Sequence, residues 1–216
     1  NVSSPSTLTF TPSNWTTPQT VTVTGVNDSN LDGHQDYSIS LSATTGGAYV
    51  SDITNSLSSS AYSITHGSSP SNEKVHLAFD GSVYYKYLNF SGPGTGVIIN
   101  TGNNYTVTTL GLTTANDRTN RDPTKFSLYG SNNGSSWVSI ATNKSLSPPT
   151  SRYSNYPDVS FSNSAAYQYY KLVFNSVRSA YYSGYYENMV QIAEIRLGGS
   201  LSQNQSATVE MHNLDD

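Results

Sequence analysis

Short runs in which apolar residues alternate with hydroxyl or amide residues constrain the fold of this chain more than any other feature. QTVTVTGV and DYSISLSA near the N terminus follow this pattern, and so does QIAEIRLGG near the C terminus. In the last run Ala193, Ile195 and Leu197 share one face, and a Gly-Gly pair is expected to end the strand. Alternation of this kind is typical of half-buried β-strands, and no convincing long amphipathic helix accompanies it. The sequence therefore predicts an all-β protein.

Composition narrows the class of protein. Only 11% of the 216 residues are charged, the net charge is -4, and 17 residues are Tyr, so hydroxyl and amide groups supply most of the polarity. This profile is typical of secreted proteins. Ten Lys and Arg residues are too few to predict a nucleic-acid partner, and no apolar run is long enough to span a membrane. Because the chain has no Cys, its stability must come from packing and from any sites for hard cations.

The two ends of the chain resemble parts of one domain. The segment LTFTPSNWTTPQTVTVTGVNDSNLDGHQDYSISLSA resembles the second half of a Calx-β repeat of large bacterial surface proteins, and SATVEMHNLDD is similar to the closing strand of such a repeat. The resemblance implies a partial Calx-β or immunoglobulin-like sandwich formed by residues 1–45 and 201–216. Residues 46–200 would then be a domain inserted at a surface loop. The alternative is that the tail begins a following repeat or a linker.

Acidic residues accumulate at both ends, namely Asp28, Asp32, Asp36, Asp215 and Asp216. Calx-β domains of the exchanger type bind Ca²⁺ with such carboxylates, but a solvated acidic loop is the favoured interpretation here. The chain also begins within a strand-like pattern, so we expect it to be part of a longer protein. A partial sandwich leaves strand edges exposed, and we expect neighbouring repeats or subunits to complete it by adding strands.

The middle of the chain contains strand-like runs separated by turns, beginning with HLAFDGS after a Ser-rich stretch, NSLSSSAYSITHGSSP, that predicts a connector. The motifs AFDGSVYYKYLNF, TTANDRTNRDPTKFSLYGSNNGSSWVSIA, YYKLVF and QIAEIRL follow in order. Together they resemble the discoidin or F5/8 type C domain. The resemblance implies a jelly-roll β-sandwich, a fold shared with many galactose-binding carbohydrate-binding modules.

This resemblance also implies a Ca²⁺ site. In discoidin-like domains the Asp of the DGS motif and a Glu of the last strand hold the ion together with nearby carbonyl groups. The implied ligands are the side chains of Asp80 and Glu194 and the carbonyls of Leu77, Ser82, Tyr85 and Ala193. Ser82 and Tyr85 stand where the family usually has Asn and Thr, which puts side-chain ligation there in doubt and leaves carbonyl ligation possible. The alternative is a solvated turn without an ion.

Two long loops, TANDRTNRDP and NSVRSAYYSGYYENM, are the candidate ligand-binding surface. Aromatic faces stack on the apolar side of a sugar ring, while Arg and Asn bond its hydroxyl groups. The candidate residues are Asn116, Arg118, Arg178, Tyr181, Tyr182, Tyr185, Tyr186 and Asn188. The alternative is that some of the Tyr side chains pack over the end of the sandwich and that Arg121 and Asp122 brace their own loop.

Signals for catalysis are weak. The four His residues lack HExxH spacing, and the sequence has neither a G-x-S-x-G motif, nor a P-loop, nor a Cys nucleophile. We therefore expect a non-enzymatic, extracellular or cell-surface protein of bacterial type that binds a glycan as a module of an adhesin or matrix protein. Two alternatives stay open. The chain could be a structural subunit of an extracellular fibre or sheath, or a non-catalytic binding module of a carbohydrate-active enzyme.

Overall fold

The structure, a computed structural model, describes residues 2–3, 8, 17, 19–20, 22–23 and 36–212, with side chains for residues 8, 17, 19–20 and 47–202 except Tyr186. The chain divides into two compact units, Ser42–Gln205 and the pair Asn1–Leu41 with Ser206–Asp216. Most of the predicted partial sandwich, including Asp28, Asp32, Asp215 and Asp216, lies outside the described residues. The predicted domain division and the Calx-β resemblance therefore stay predictions.

Strands dominate the described residues, and three 3₁₀ helices, Ser59–Ala61, Val75–Ala78 and Thr119–Arg121, connect some of them. The strands are β1 (Val2–Ser3), β2 (Thr22–Val23), β3 (Asp36–Val50), β4 (Tyr62–Ile64), β5 (Tyr87–Asn89), β6 (Gly96–Thr113), β7 (Pro123–Ser131), β8 (Val138–Ser145), β9 (Val159–Ser160), β10 (Tyr167–Val177), β11 (Tyr181–Tyr182), β12 (Tyr185–Tyr186), β13 (Val190–Ile192) and β14 (Glu194–His212). None of the helices in the described part of the chain has the length and apolar character needed to cross a membrane.

The long strand β6 pairs with different strands along its first and second halves. The order of the main sheet is β3-β14-β6-β10-β7-β8, and β4 and β9 also pair with β6. The first half of β6 pairs with β4 and β10, and the second half pairs antiparallel with β14 and β9. Between the halves lies Gly102 with φ +72°, a backbone conformation that glycine adopts readily. Smaller sheets join β5 to β13 and β11 to β12.

The buried core follows the alternation of side chains along the strands. In the middle of β10 the alternate residues Tyr170, Leu172 and Phe174 are fully buried. The face predicted for the C-terminal run is also buried, since Ala193, Ile195 and Leu197 are 0% exposed. Burial of one large apolar side chain contributes about 1.5–3 kcal/mol to stability. The prediction of an all-β sandwich is confirmed.

Two segments differ from their predictions. The run HLAFDGS, predicted as a strand, contains the 3₁₀ helix Val75–Ala78. Its consecutive residues Ala78 and Phe79 are both buried, which an alternating strand on the surface of the core would not allow. The Ser-rich stretch predicted as a connector includes β4. Within it Tyr62 stacks on Phe79 with ring centroids 4.1 Å apart and donates a hydrogen bond to the Thr54 carbonyl at 2.6 Å, so this stretch is part of the domain.

The Gly-Gly pair at 198–199 does not end a strand, as the sequence pattern predicted. Strand β14 continues through it, with a shift in its pairing to β6 between Gly198 and Gly199. A Cβ atom at Gly198 would lie 2.2 Å from the hydroxyl oxygens of Thr109 and Tyr49, and one at Gly199 would lie 2.6 Å from the Thr106 carbonyl. The glycines therefore permit close approach at a β-bulge.

Candidate functional site

The fully buried carboxylate of Asp122, immediately before β7, holds three loops together. It accepts two hydrogen bonds from Arg152, at 2.9 Å from Nη1 and 2.6 Å from Nη2, and Arg178 Nη2 lies 3.6 Å away. Burial raises the pKa of Asp122, and the two guanidinium groups oppose that shift. A bidentate, charge-assisted pair of this kind is strong and directional. We call these three side chains the Asp122 clamp.

Arg178, predicted to contact a sugar, is engaged within the clamp. Its Nη2 donates to the carbonyls of Pro148 and Pro149 at 2.9 and 3.2 Å, and its Nε donates to the Thr119 carbonyl at 3.2 Å. These bonds connect the loop after β10 with the loops before β7 and after β8. The role of Arg178 in sugar binding stays a prediction, but its structural contacts account for most of its donors.

A second polar network anchors the loop that carries the predicted residues Asn116 and Arg118. The buried Lys86 ammonium lies 2.7 Å from the Asp117 carboxylate and donates to Gln191 at 3.3 Å. The Gln191 amide in turn donates to the carbonyls of Asp117 and Arg118 at 2.6 and 3.0 Å. This loop is therefore fixed to both β13 and the segment before β5. The side chain of Asn116 is exposed beside it.

The Tyr-rich loop forms a small hairpin, β11 and β12. Ser183 and Gly184 occupy its turn with φ of 50° and 84°, as tight hairpin turns require. The side chains of Tyr181, Tyr182 and Tyr185 are 59%, 38% and 76% exposed. The side chain of Tyr186 lies outside the described residues. Three of the four predicted aromatic groups therefore face solvent instead of packing into the core.

Arg118 connects this hairpin to the neighbouring loop. Its guanidinium carbon lies 4.0 Å from the centre of the Tyr182 ring, a cation–π contact. Glu187, just after the hairpin, lies 3.1 Å from Arg121 Nη2 and 4.0 Å from Arg118 Nη2. The Arg121 side chain thus connects its own loop to the segment after the hairpin. The structure brings the predicted residues Arg118 and Tyr182 together, and it places Asn188 half-buried with its carbonyl against Gly92.

Sequence analysis did not single out a second aromatic pair at this surface. Tyr84 and Tyr153 are 78% and 44% exposed, and their ring centroids lie 5.7 Å apart at an angle of 53°. Tyr84 follows the DGS motif, and Tyr153 follows Arg152 of the clamp. Tyr84 belongs to the Tyr-rich run VYYKY, Tyr153 lies in a polar loop far away in the sequence, and no local pattern therefore marks the two as a pair.

The predicted cation ligands Asp80 and Glu194 are in contact. Burial and the adjacent Asp80 carboxyl raise the pKa of Glu194 to about 8, against the opposing effect of the backbone amides of Ser82 and Gly81. Ser82 N–H also donates to Asp80 at 2.8 Å. Glu194 is 7% exposed, and its Oε1 has no hydrogen-bond partner. Two carboxyl groups this close need a proton or a cation between them.

The residues whose carbonyl groups were predicted as further ligands differ in local structure and in hydrogen bonding. Leu77 is in the 3₁₀ helix and donates its N–H to the Lys74 carbonyl, while the Ser82 carbonyl accepts a hydrogen bond from Tyr85 at 3.4 Å. Ala193 is buried and donates its N–H to the Thr113 carbonyl. No three Asp, Glu or His side chains of the described residues converge on one point. A cation at Asp80 and Glu194 would therefore take its other ligands from carbonyl or water oxygens, which suits Ca²⁺.

Comparison with known families and structures gives two results. The sequence profile of the F5/8 type C domain matches residues 58–195. The fold is similar to that of the family 32 carbohydrate-binding module of NanJ from Clostridium perfringens in complex with galactose, at 15% identity over 70% of this chain and 99% of that chain, with a TM-score of 0.52. The prediction of a jelly-roll β-sandwich is thus confirmed.

Two further solved structures share the fold. One is a family 32 module from a family 31 glycoside hydrolase of C. perfringens, at 15% identity over 66% of this chain and 94% of that chain, with a TM-score of 0.53. The other is a family 32 module from C. perfringens in complex with GalNAc-β-1,3-galactose, at 15% identity over 63% of this chain and 92% of that chain, with a TM-score of 0.50. At such identity the likeness is one of fold. The search of curated proteins gave no match.

Proposed function

The chain belongs to the F5/8 type C family, and on that premise we propose that it is a non-catalytic module that binds glycans. The observation that carries the proposal is the exposure of the Tyr hairpin at the loop end of the sandwich. Tyr181 and Tyr185 present 59% and 76% of their surfaces to solvent. Aromatic faces of this kind stack on sugar rings, while nearby Asn116 and Arg118 offer hydrogen-bond donors to hydroxyl groups.

The setting we propose is extracellular, at the surface of a bacterial cell, as a module of a larger adhesin or matrix protein. The low charge content and the absence of Cys are compatible with this setting. A binding module of a carbohydrate-active enzyme is the second candidate. It is favoured by the likeness of fold to a module that comes from a glycoside hydrolase.

We further propose that Ca²⁺ binds at Asp80 and Glu194. The support is the contact between the two carboxyl groups and the partnerless Oε1 of buried Glu194. The ion would supply positive charge between the carboxylates and connect the loop after Phe79 to the start of β14. Its proposed role is structural, since it would hold the segment that leads through Tyr84 to Lys86.

Titration of the chain with neutral sugars identified on a glycan array tests the glycan proposal. We expect dissociation constants in the millimolar to high micromolar range, roughly 4–6 kcal/mol of binding free energy, because the surface is open and shallow. The variant Tyr185→Ala should lose most of the binding, whereas Tyr185→Phe should keep it. Tyr49→Ala is a matched control, because Tyr49 is 54% exposed on β3 outside the loops. Failure of the chain to bind any glycan would refute the proposal.

A further inference from the structure

Tyr84 and Tyr153 expose aromatic surface that no other part of the described protein covers completely. The two rings contact each other at 5.7 Å between centroids, yet they remain 78% and 44% exposed. Covering exposed aromatic carbon is favourable in free energy, because it removes apolar surface from water. A solvent-exposed, tilted pair of Tyr rings is therefore a surface on which binding of a flat, partly apolar ligand is favourable.

The backbone holds Tyr153 in place at a cost. Its φ is 56°, a conformation that is unfavourable for a non-glycine residue. Both neighbours are anchored, because Arg152 belongs to the Asp122 clamp and Ser154 N–H donates to Thr114 Oγ1 at 2.9 Å. Surrounding contacts thus impose the position of this ring.

Strained residues concentrate at the same surface. The non-glycine residues with positive φ in the described part of the chain are Arg118, Asn143, Tyr153 and Ser183. Three of them lie in the loops already described: Arg118 over the Tyr182 ring, Tyr153 in the aromatic pair and Ser183 in the hairpin turn. Strain of this kind collects where side chains must be aimed at a ligand. Only Asn143, in β8, lies elsewhere.

A short chain of contacts joins the aromatic pair to the Tyr hairpin. Arg152, next to Tyr153, donates to the Asp117 carbonyl at 2.9 Å. Lys86, two residues after Tyr84, contacts the Asp117 carboxylate at 2.7 Å. The residue after Asp117 is Arg118, whose guanidinium covers Tyr182 at 4.0 Å. Contacts of Asp117 and Arg118, whose side chains are 44% and 36% exposed, therefore join the segments that carry the two aromatic surfaces.

The charges of this surface compensate one another. Each cation of the surface lies within 4.0 Å of a carboxylate: Lys86 of Asp117, Arg118 and Arg121 of Glu187, and Arg152 and Arg178 of Asp122. A polyanionic ligand would find its cations already paired, and it would meet the exposed Asp117 carboxylate. Paired charges still offer hydrogen-bond donors and acceptors to hydroxyl groups. The surface thus favours a neutral, hydroxyl-rich ligand.

We propose that Tyr84 and Tyr153 form a second sugar subsite, and that the ligand is a neutral oligosaccharide that extends from this pair across Asp117 and Arg118 to the Tyr hairpin. The proposal rests on the glycan-binding function proposed above. It adds the class of ligand. A chain of sugar rings can stack on both aromatic surfaces at once, whereas a single sugar ring can stack on only one of them.

The test is a series of calorimetric titrations with neutral oligosaccharides of galactose, glucose, mannose and N-acetylglucosamine, from the monosaccharide to the pentasaccharide. Oligogalacturonates of the same lengths are the charged comparison. In at least one neutral series we expect affinity to rise about tenfold or more with length, because a second stacking contact is added. The double variant Tyr84→Ala, Tyr153→Asn should abolish that rise. Asn is chosen because it tolerates positive φ.

The outcomes separate the two proposals. Equal affinity for all lengths, or a length dependence that survives in the double variant, would overturn the second subsite while leaving glycan binding intact. Tighter binding of oligogalacturonates than of neutral chains would overturn the neutral ligand. If the unaltered chain binds no glycan at all, the proposed function itself fails. Tyr153→Phe, which keeps the ring, should retain the length dependence, and Tyr49→Ala serves as the control for an unrelated exposed Tyr.

Discussion

Among single residues, Glu194 has the largest chemical consequence. It is the first residue of β14, it is 7% exposed, and it faces the carboxyl group of Asp80. Burial and the neighbouring Asp80 raise its pKa from the ordinary value of 4.5 to about 8. The folded protein without an ion therefore keeps a proton on Glu194 under conditions in which the unfolded chain has released it.

This shift predicts a pH dependence of stability. Because the pKa is higher in the folded state, the stabilising contribution of the Glu194 proton is fully present below about pH 4.5 and is lost as pH rises through about 8. The maximal slope is about 1.4 kcal/mol per pH unit. Ca²⁺ needs ionised carboxylates, so its stabilising effect should grow over the same range. We expect added Ca²⁺ to raise the thermal midpoint more at about pH 8 than at about pH 5.

Thermal unfolding with Ca²⁺ and with chelator measures this effect. Glu194→Gln should remove both the pH dependence in this window and the response to Ca²⁺. Asp158→Asn is the matched control, because Asp158 is 68% exposed and makes one long contact, 3.8 Å to Arg196. An unchanged midpoint with Ca²⁺ at the higher pH, or a full response in Asp80→Ala, would show that no ion binds here.

Among structural elements, the three loops joined by the Asp122 clamp decide how the surface is built. Asp122 is 0% exposed, so its carboxylate depends on Arg152 and Arg178 for compensation. Replacement by Asn keeps the shape and removes the charge, which leaves two guanidinium groups without their partner. Loss of one member of a buried ion pair costs about 3–5 kcal/mol.

We therefore expect Asp122→Asn to destabilise the protein by about 3 kcal/mol in urea unfolding. Asp158→Asn should change the free energy of unfolding by less than about 0.5 kcal/mol, because an exposed pair contributes little. Asp122→Asn should also weaken glycan binding, because Asp122 holds Arg152, and Arg152 positions the neighbouring Tyr153. Equal stability of the two variants would show that the clamp is not needed to hold the loops.

Sequence patterns predicted elements better than contacts between elements. The buried faces of β10 and β14 follow from alternation, and the density of Tyr around Ser183–Gly184 marks the candidate ligand-binding loop, although its hairpin was not predicted. The clamp and the Lys86–Asp117 pair have no local signal, because their partners are 30 and 31 positions apart. The pairing of Tyr84 with Tyr153 could not be predicted either, because the two residues are far apart in the sequence. HLAFDGS, predicted as a strand, has its apolar residues Leu77, Ala78 and Phe79 in one consecutive run, which does not alternate.

At the scale of the whole molecule, the buried core formed by the residues whose side chains the structure describes lies between Ile53 and Leu197, within the unit Ser42–Gln205. We predict that residues 42–205 alone fold with a thermal midpoint and a glycan affinity close to those of the full chain. Light scattering on both proteins also tests the predicted partial sandwich. Self-association of the full chain, together with a monomeric 42–205 fragment, would support strand addition by a neighbour. A fragment that does not fold would show that the terminal segments are needed.

For the proposed glycan-binding function, loops fixed by the Asp122 clamp predict how long a glycan would stay bound. Loops that are fixed before the ligand arrives need no slow rearrangement, so association is fast. A weak affinity is then the result of a high dissociation rate. With a dissociation constant of about 1 mM and association at about 10⁶ M⁻¹ s⁻¹, each encounter lasts on the order of a millisecond. Lasting attachment to a polysaccharide then depends on how many such surfaces meet the same polymer, and two tethered copies would hold it about 10²–10⁴ times more tightly than one.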